Sequence, residues 1–154
     1  MSKSKTFSLR PLVNLAHQMN DAAAKRFGHL NQQQQAAQAK LEALLQYRKD
    51  YQARFQEAAR NGMNQTDMRN FQDFMQRLDE AIAQQHAATE LALNSVRVGR
   101  DELQDAQRKL KSFDALEQRH VEQERKLAAR TEQRQQDEYS GRHATLKAAA
   151  HKDK

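Results

Sequence analysis

The sequence has no cysteine, no tryptophan, a single proline and only four glycines in 154 residues. Without cysteine, disulfides and thiolate metal sites are excluded, which fits a reducing compartment. Hydrophobic residues are also scarce, at 38% of the chain, and the mean hydropathy is −1.07. Such a chain has too little apolar surface for a thick globular core. It must either stay disordered or bury a thin seam between long helices.

Long apolar segments are missing as well. No run approaches the roughly 20 residues that are needed to span a bilayer. The first residues carry the positive charge of a signal peptide, but Arg10, Asn14 and His17 interrupt the apolar stretch that should follow. We therefore expect a cytoplasmic protein.

Charge is abundant, and the formal net charge is +6. An excess of positive charge suggests acidic partners, and nucleic acid or an anionic membrane surface would both satisfy it. Acidic residues are interspersed almost everywhere, however, so the pattern favours a solvated helix surface. The dominance of Ala, Gln, Glu, Lys, Arg and Leu indicates helices rather than disorder, because these side chains lose little freedom in a helix.

Apolar residues recur in alternating steps of four and three, which is the period of a coiled coil. One such track of residues runs along each half of the chain, and we call the two tracks together the seam. In the first half the track runs through Leu9, Val13, Ala16, Asn20, Ala23, Phe27, Leu30, Gln34, Ala37, Leu41, Leu44, Arg48, Tyr51, Phe55 and Ala58. In the second half it runs through Phe71, Met75, Leu78, Ile82, Gln85, Thr89, Ala92, Val96, Gly99, Leu103, Ala106, Leu110 and Phe113. Beyond Phe113 the track becomes polar.

Turn residues separate the two tracks. Asn61-Gly62 can take the left-handed conformation that ends a helix, and Asn64 or Thr66 is suited to cap the next one. A chain that folds back around residue 63 places Phe55 opposite Phe71 and Phe27 opposite Gly99. One register therefore aligns both tracks, and its centre falls inside the independently identified turn.

These patterns predict an all-α fold, a long antiparallel two-helix coiled-coil hairpin whose second helix is longer than the first. We expect a flexible N-terminus over residues 1–7, a single helical hairpin over 8–140 and a frayed basic tail over 141–154. Within the hairpin, helix one covers about 8–60 with Ser8 as its cap, the turn about 61–66, and helix two about 67–140. The part of helix two after about residue 118, here called the overhang, has no partner in this register.

Motifs for catalysis are absent from the sequence. It contains neither of the Gly-rich phosphate-binding motifs and no HExxH zinc motif. His86 with Glu90 and His120 with Glu124 have helical spacing, but two ligands do not make a zinc site. We predict a protein that is not an enzyme, with no cofactor and no metal.

One group of residues near the turn is a candidate binding surface. We call it the aromatic patch; its members are Leu44, Tyr47 and Tyr51 on helix one and Phe74, Leu78, Ala81 and Gln85 on helix two. Tyr47, Phe74 and Ala81 lie beside the seam, where a two-helix structure leaves side chains partly exposed. Exposed aromatics are candidates for partner binding. The alternative is a locally widened seam, in which the rings keep the tip of the hairpin from fraying.

The sequence resembles the FliJ family of the bacterial flagellar type III export apparatus, from about Leu12 to Ala144. The resemblance is carried by Leu41-x2-Leu44-x2-Tyr47-x3-Tyr51, Asn70-Phe71-Gln72-x-Phe74-x3-Leu78-x2-Ala81-Ile82, Leu116-x2-Arg119, and Asp137-Glu138-Tyr139 with Arg142. Each string is typical of any coiled coil, but their order and their position around one turn are specific.

The resemblance implies a stalk similar to the γ subunit of rotary ATPases, associated peripherally with the inner-membrane export apparatus. It implies that the paired helix termini insert into the ring of the export ATPase FliI. It further implies that the hairpin engages the export gate FlhA through the aromatic patch, and that the protein binds flagellar export chaperones. Two positions depart from the family pattern, with Lys40 in place of Gln and Gln85 in place of His.

Two alternatives remain at this stage. The equivalent stalk of a virulence type III secretion system shares the architecture. A protein of a different class, a basic coiled coil that binds nucleic acid or anionic lipid, would also fit the net charge.

Overall fold

The computed structural model describes residues 9–152, which form two α-helices and no β-strand. Helix α1 spans Arg10–Arg60 and helix α2 spans Gln65–Lys152. The two helices pack against each other, and the second is the longer. The predicted antiparallel helical hairpin is therefore confirmed. The expected flexible N-terminus and the Ser8 cap lie outside the described residues.

Helix α1 begins at Arg10, one residue before the single proline of the chain. Pro11 falls in the first turn, where its missing N–H removes no helical hydrogen bond. The N–H of Val13 already donates to the carbonyl oxygen of Leu9 at 3.0 Å. The helix then continues to Arg60 without an interior proline.

The connection between the helices is a tight turn. Gly62 has a φ of 92°, a left-handed conformation that is strained for any residue with a Cβ. Its N–H donates to the carbonyl oxygen of Ala59 at 3.4 Å, which closes the end of α1. The side chain of Asn64 accepts a hydrogen bond from the N–H of Asp67 at 2.8 Å. Asn64, rather than Thr66, is thus the N-cap of α2.

The described residues belong to two compact units, each considered separately. The first is Gln18–Gln107, here called the turn unit. Every position of the predicted seam within it is buried or half-buried, and the least accessible are Ala23, Leu41, Leu78, Thr89, Val96 and Gly99. A Cβ built on Gly99 would lie 2.7 Å from Cδ1 of Leu30 and 3.7 Å from Cδ2 of Phe27. This close approach agrees with the predicted pairing of Phe27 with Gly99.

A polar layer interrupts the apolar seam of the turn unit. The side-chain amide of Gln85 donates to the carbonyl oxygen of Ala37 at 3.0 Å. The Thr89 hydroxyl lies 3.3 Å from the same oxygen and 2.9 Å from the carbonyl oxygen of Gln85. The layer satisfies both polar side chains inside the seam and joins the two helices at this level. On the surface, Arg26 pairs with Glu102 at 3.0 Å across the two helices.

The second unit, here called the termini unit, comprises Met1–His17 and Arg108–Lys154. Among its described residues, Val13 and Ala16 are buried, and His17 lies 4.0 Å from Asp114. Every residue from 121 to 152 is exposed. Across residues 9–152, neither helix contains a stretch that is long and apolar enough to cross a membrane.

The end of α2 differs from the sequence prediction. The sequence predicts an end near residue 140, but α2 continues through Gly141 to Lys152. One interior glycine costs a helix only about 1 kcal/mol, and the residues that follow, such as Ala144, Leu146 and Lys147, are strong helix formers. The fraying expected for residues 141–154 stays a prediction.

Candidate functional site

The rings of the aromatic patch contact one another across the two helices. The centroid of the Tyr51 ring lies 4.4 Å from that of Phe74. Tyr47 meets the edge of Phe74 at 6.1 Å and stacks on Tyr51 at 6.4 Å. These separations are those of favourable aromatic pairs. The sequence prediction that the three rings flank one another is borne out in the turn unit.

Two seam residues outside the aromatic patch extend this cluster. The Phe71 ring lies 5.0 Å from Tyr51 and 5.3 Å from Phe55. Both phenylalanines are half-buried. The signal was present in the sequence, because Phe55 and Phe71 face each other in the predicted register, but their role as a support for the patch appears only when the rings are seen in contact.

Accessibility divides the patch into an outer edge and an inner support. Tyr47 is 49% exposed and Phe74 is 36% exposed, although both have large apolar rings. Tyr51, Leu44 and Ala81 are half-buried. Leu78 is only 6% exposed, so its side chain supports the surface from below. The widened seam therefore accounts for the inner residues, whereas the Tyr47–Phe74 edge remains open to solvent.

Gln85 lies at the far end of the patch along α2. Its amide is engaged in the polar layer through the carbonyl oxygen of Ala37, and the residue is half-buried. This hydrogen bond gives Gln85 a structural role in the seam. Its candidacy as a contact residue stays a prediction.

An ion pair lies near the patch. The guanidinium of Arg48 donates a hydrogen bond to the carboxylate of Asp79, and this bond links α1 to α2. This hydrogen bond from Arg48 lowers the pKa of the Asp79 carboxyl below its ordinary value. The same bond raises the pKa of Arg48. The pair thus remains charged at neutral pH and presents no titrating group there.

Outside the patch, the structure brings few chemical groups together. His120 lies 3.2 Å from Glu124, as their helical spacing predicts. Among residues 9–152 no group of three or more His, Asp or Glu side chains is placed to hold a metal ion.

Comparison with known proteins adds the family. The sequence model described as "FliJ: Flagellar FliJ protein" matches residues 4–148. The flagellar FliJ protein of Salmonella typhi is 25% identical over 140 residues, which cover 91% of this chain and 95% of that protein. The flagellar FliJ protein of Escherichia coli strain K12 is 24% identical with the same coverage.

The match extends over most of both helices and over the turn between them. The family is a component of the flagellar export apparatus. The chain belongs to the FliJ family.

Proposed function

We propose that this chain is the stalk that connects the ring of the export ATPase FliI with the export gate FlhA, and that it also binds flagellar export chaperones. In this proposal it acts on the cytoplasmic side of the inner membrane, associates with the membrane through the export apparatus, and catalyses no reaction itself. It contributes contacts that couple the ring to the gate.

The observation that supports gate binding is the exposed edge formed by Tyr47 and Phe74. Large aromatic side chains that remain open to solvent above a rigid support are the residues from which protein-binding energy usually comes. Phe74 packs against Tyr51, and Phe71 in turn contacts both Tyr51 and Phe55, so the exposed edge rests on a connected row of rings. Little ordering would accompany binding at such a preformed surface.

Within this proposal, the termini unit binds the ATPase ring. In the termini unit, residues 121–152 of α2 are exposed on all faces. A helical segment that is exposed on every face buries little within its own chain, so its surface is available to a partner. The overhang also offers exposed apolar side chains, among them Val121 and Leu127.

The gate contact is tested with the variants Tyr47→Ala and Phe74→Ala and the purified cytoplasmic domain of the gate. We expect each substitution to weaken binding by about tenfold, as is typical of a central aromatic contact. Leu45→Ala is the matched control, because Leu45 is 48% exposed, close to the 49% of Tyr47, and lies on the opposite flank of the same helix. Equal loss of binding in the control and in the patch variants would contradict the proposed site.

The ring contact is tested by pull-down of the export ATPase with the full chain and with a chain truncated after Glu117. The truncated chain should lose most of its binding to the ATPase but keep its binding to the gate. If the truncated chain lost binding to both the ATPase and the gate, or to neither of them, the overhang would not be the specific ATPase-binding element. Circular dichroism of the truncated chain monitors the hairpin itself.

A further inference from the structure

Helix α2 carries a second coiled-coil track outside the seam, within the turn unit. Its members again alternate in steps of four and three, and we call them the outer strip: Arg77, Ala81, Gln84, Ala88, Leu91, Ser95, Val98 and Glu102. All of them are exposed except Ala81, which is half-buried. A track with this period is continuous along one side of a helix and presents one stripe to a partner helix.

The middle of the outer strip is apolar although it faces solvent. Leu91 is 69% exposed and Val98 is 58% exposed. Alanines at 81 and 88 leave shallow spaces beside these two large side chains. When branched side chains alternate with small ones, the large side chains of one helix can fill the spaces beside the small ones of another. The hairpin leaves this stripe without a covering element.

The two ends of the outer strip carry opposite charges. Arg77 stands at one end and Glu102 at the other, and both are exposed. Glu102 accepts a hydrogen bond from Arg26 through Oε2. The second carboxylate oxygen of Glu102 can accept a hydrogen bond from another cation, since an ionised carboxylate offers about four acceptor sites.

We propose that the outer strip is a self-association surface, on which α2 of a second copy of this chain lies antiparallel. With the two-fold axis between residues 89 and 90, Leu91 faces Ala88 of the second copy and Val98 faces Ala81. Gln84 then faces Ser95, and Arg77 faces Glu102. Each large side chain meets a small one, each polar group meets a polar group, and each end charge meets its opposite.

The same residues disfavour a parallel arrangement. In a parallel pair every residue faces its own copy, so Arg77 would face Arg77 and Glu102 would face Glu102. Like charges in direct opposition destabilise a helix pair and select against that orientation. Leu91 would also face Leu91, which leaves the spaces beside the alanines unfilled. The outer strip is thus complementary to itself only in the antiparallel direction.

The association surface overlaps the aromatic patch at one residue. Ala81 belongs to both surfaces, and Phe74 lies one turn before Arg77 on α2. A second copy on the outer strip would therefore cover one side of the patch.

Sedimentation equilibrium of the full chain over a wide range of concentrations tests the association. We expect reversible dimers, and Leu91→Ser with Val98→Ser should raise the dimer dissociation constant by about tenfold or more. Leu127→Ser is the matched control, because Leu127 is 60% exposed on the same helix but lies outside the outer strip. The control should change the constant less than about twofold. A wild-type chain that stays monomeric up to the highest concentration would overturn the proposal.

Disulfide trapping tests the orientation, and it is clean because the chain has no cysteine of its own. Under mild oxidation, a mixture of Ala88→Cys and Leu91→Cys chains should form disulfide-linked heterodimers faster than either variant alone forms homodimers. Faster linking of Leu91→Cys with itself would indicate the parallel arrangement and contradict the proposal. Equal slow rates in all three samples would show that the outer strip is not an interface.

Discussion

At the scale of single residues, the interior of this protein is thin. Among residues 9–152 no side chain is completely buried, and even Val13 and Val96 keep 5% of their surface exposed. Substitutions from large to small should therefore fall at the low end of the usual range, because neighbours at the edge of a cavity can move into it. At Gly99 the packing is close, since a Cβ built there would lie 2.7 Å from Cδ1 of Leu30.

Replacement of glycine by alanine should change the stability of the chain differently at Gly28 and at Gly99. Nothing lies within 4 Å of a Cβ built on Gly28, so Gly28→Ala should raise the free energy of unfolding by about 1 kcal/mol through helix propensity. At Gly99 the same gain is offset by displacement of Leu30, and we expect no net change. Gly99→Val should lower the free energy of unfolding by about 1–3 kcal/mol through overpacking. Urea unfolding followed by circular dichroism measures all three, and a stable Gly99→Val chain would contradict the close contact.

The Arg48–Asp79 pair should make a contribution to stability that depends on pH. Because the pKa of Asp79 is lower in the folded chain than its ordinary value, the contribution is fully present above that ordinary value. It is lost as the pH falls through the lowered pKa, where the carboxylate becomes protonated. Asp79→Asn should therefore be less stable than the wild type at neutral pH, and the difference should vanish in strong acid. Urea midpoints of the two chains at both pH values check this expectation; a difference that persists in strong acid would exclude the pair as its cause.

At the scale of elements, the turn sets the register of the helices, and the polar layer is satisfied within it. The turn sets where the chain reverses, through Gly62 and the Asn64 cap. The polar layer then joins the helices at Ala37, Gln85 and Thr89. An apolar heptad track alone matches its partner again after every seven residues, so the turn is needed to select one alignment.

The turn glycine should be the residue of the connection that tolerates substitution least. Gly62→Ala places a Cβ in a left-handed conformation and should lower the free energy of unfolding by about 1–2 kcal/mol. Gly141→Ala is the control, since Gly141 lies within a helix with nothing near its Cβ. Thermal unfolding of both variants measures the difference. A Gly62→Ala chain as stable as the control would mean that the turn can adopt another conformation.

Some elements could be predicted from the sequence and others could not, for physical reasons. The seam is predictable because its period repeats many times, and a single misplaced residue does not obscure it. The choice of Asn64 over Thr66 depends on one hydrogen bond, and both residue types are good caps. The end of α2 was misplaced because Gly141 is a weak stop signal when strong helix formers follow it. In the aromatic patch, the register predicted that the rings lie close together, with Leu78 inside the seam and Tyr47 beside it. The contacts of Phe55 and Phe71 with these rings depend on side-chain conformations, which the spacing does not specify.

At the scale of the whole molecule, the longer helix is not buried along its whole length. Helix α2 has 88 residues and α1 has 51. From residue 121 onward α2 is exposed throughout. An isolated helical segment of this kind depends on its own propensity and on charge pairs along its surface, since it gains nothing from burial.

Truncation after Glu117 should separate helical content from stability. We expect the helical signal to fall in proportion to the residues removed, because these residues are helical in the full chain. The midpoint of urea unfolding should stay nearly the same, because the removed residues from 121 onward bury no surface. A large fall in the midpoint would show that the overhang stabilises the hairpin and would contradict the register.

The aromatic cluster beside the turn has a kinetic consequence. Phe55 and Phe71 are joined by one of the shortest loops that any contact between the helices can close, and closing a short loop costs the least entropy. Folding should start there and proceed outward, so Phe55→Leu and Phe71→Leu should slow folding, whereas Val96→Ala should mainly speed unfolding. Stopped-flow measurements distinguish the two effects; slowing of folding by Val96→Ala alone would place the nucleus elsewhere. Selection on the patch for partner binding would then also act on how fast a newly made chain reaches its native state.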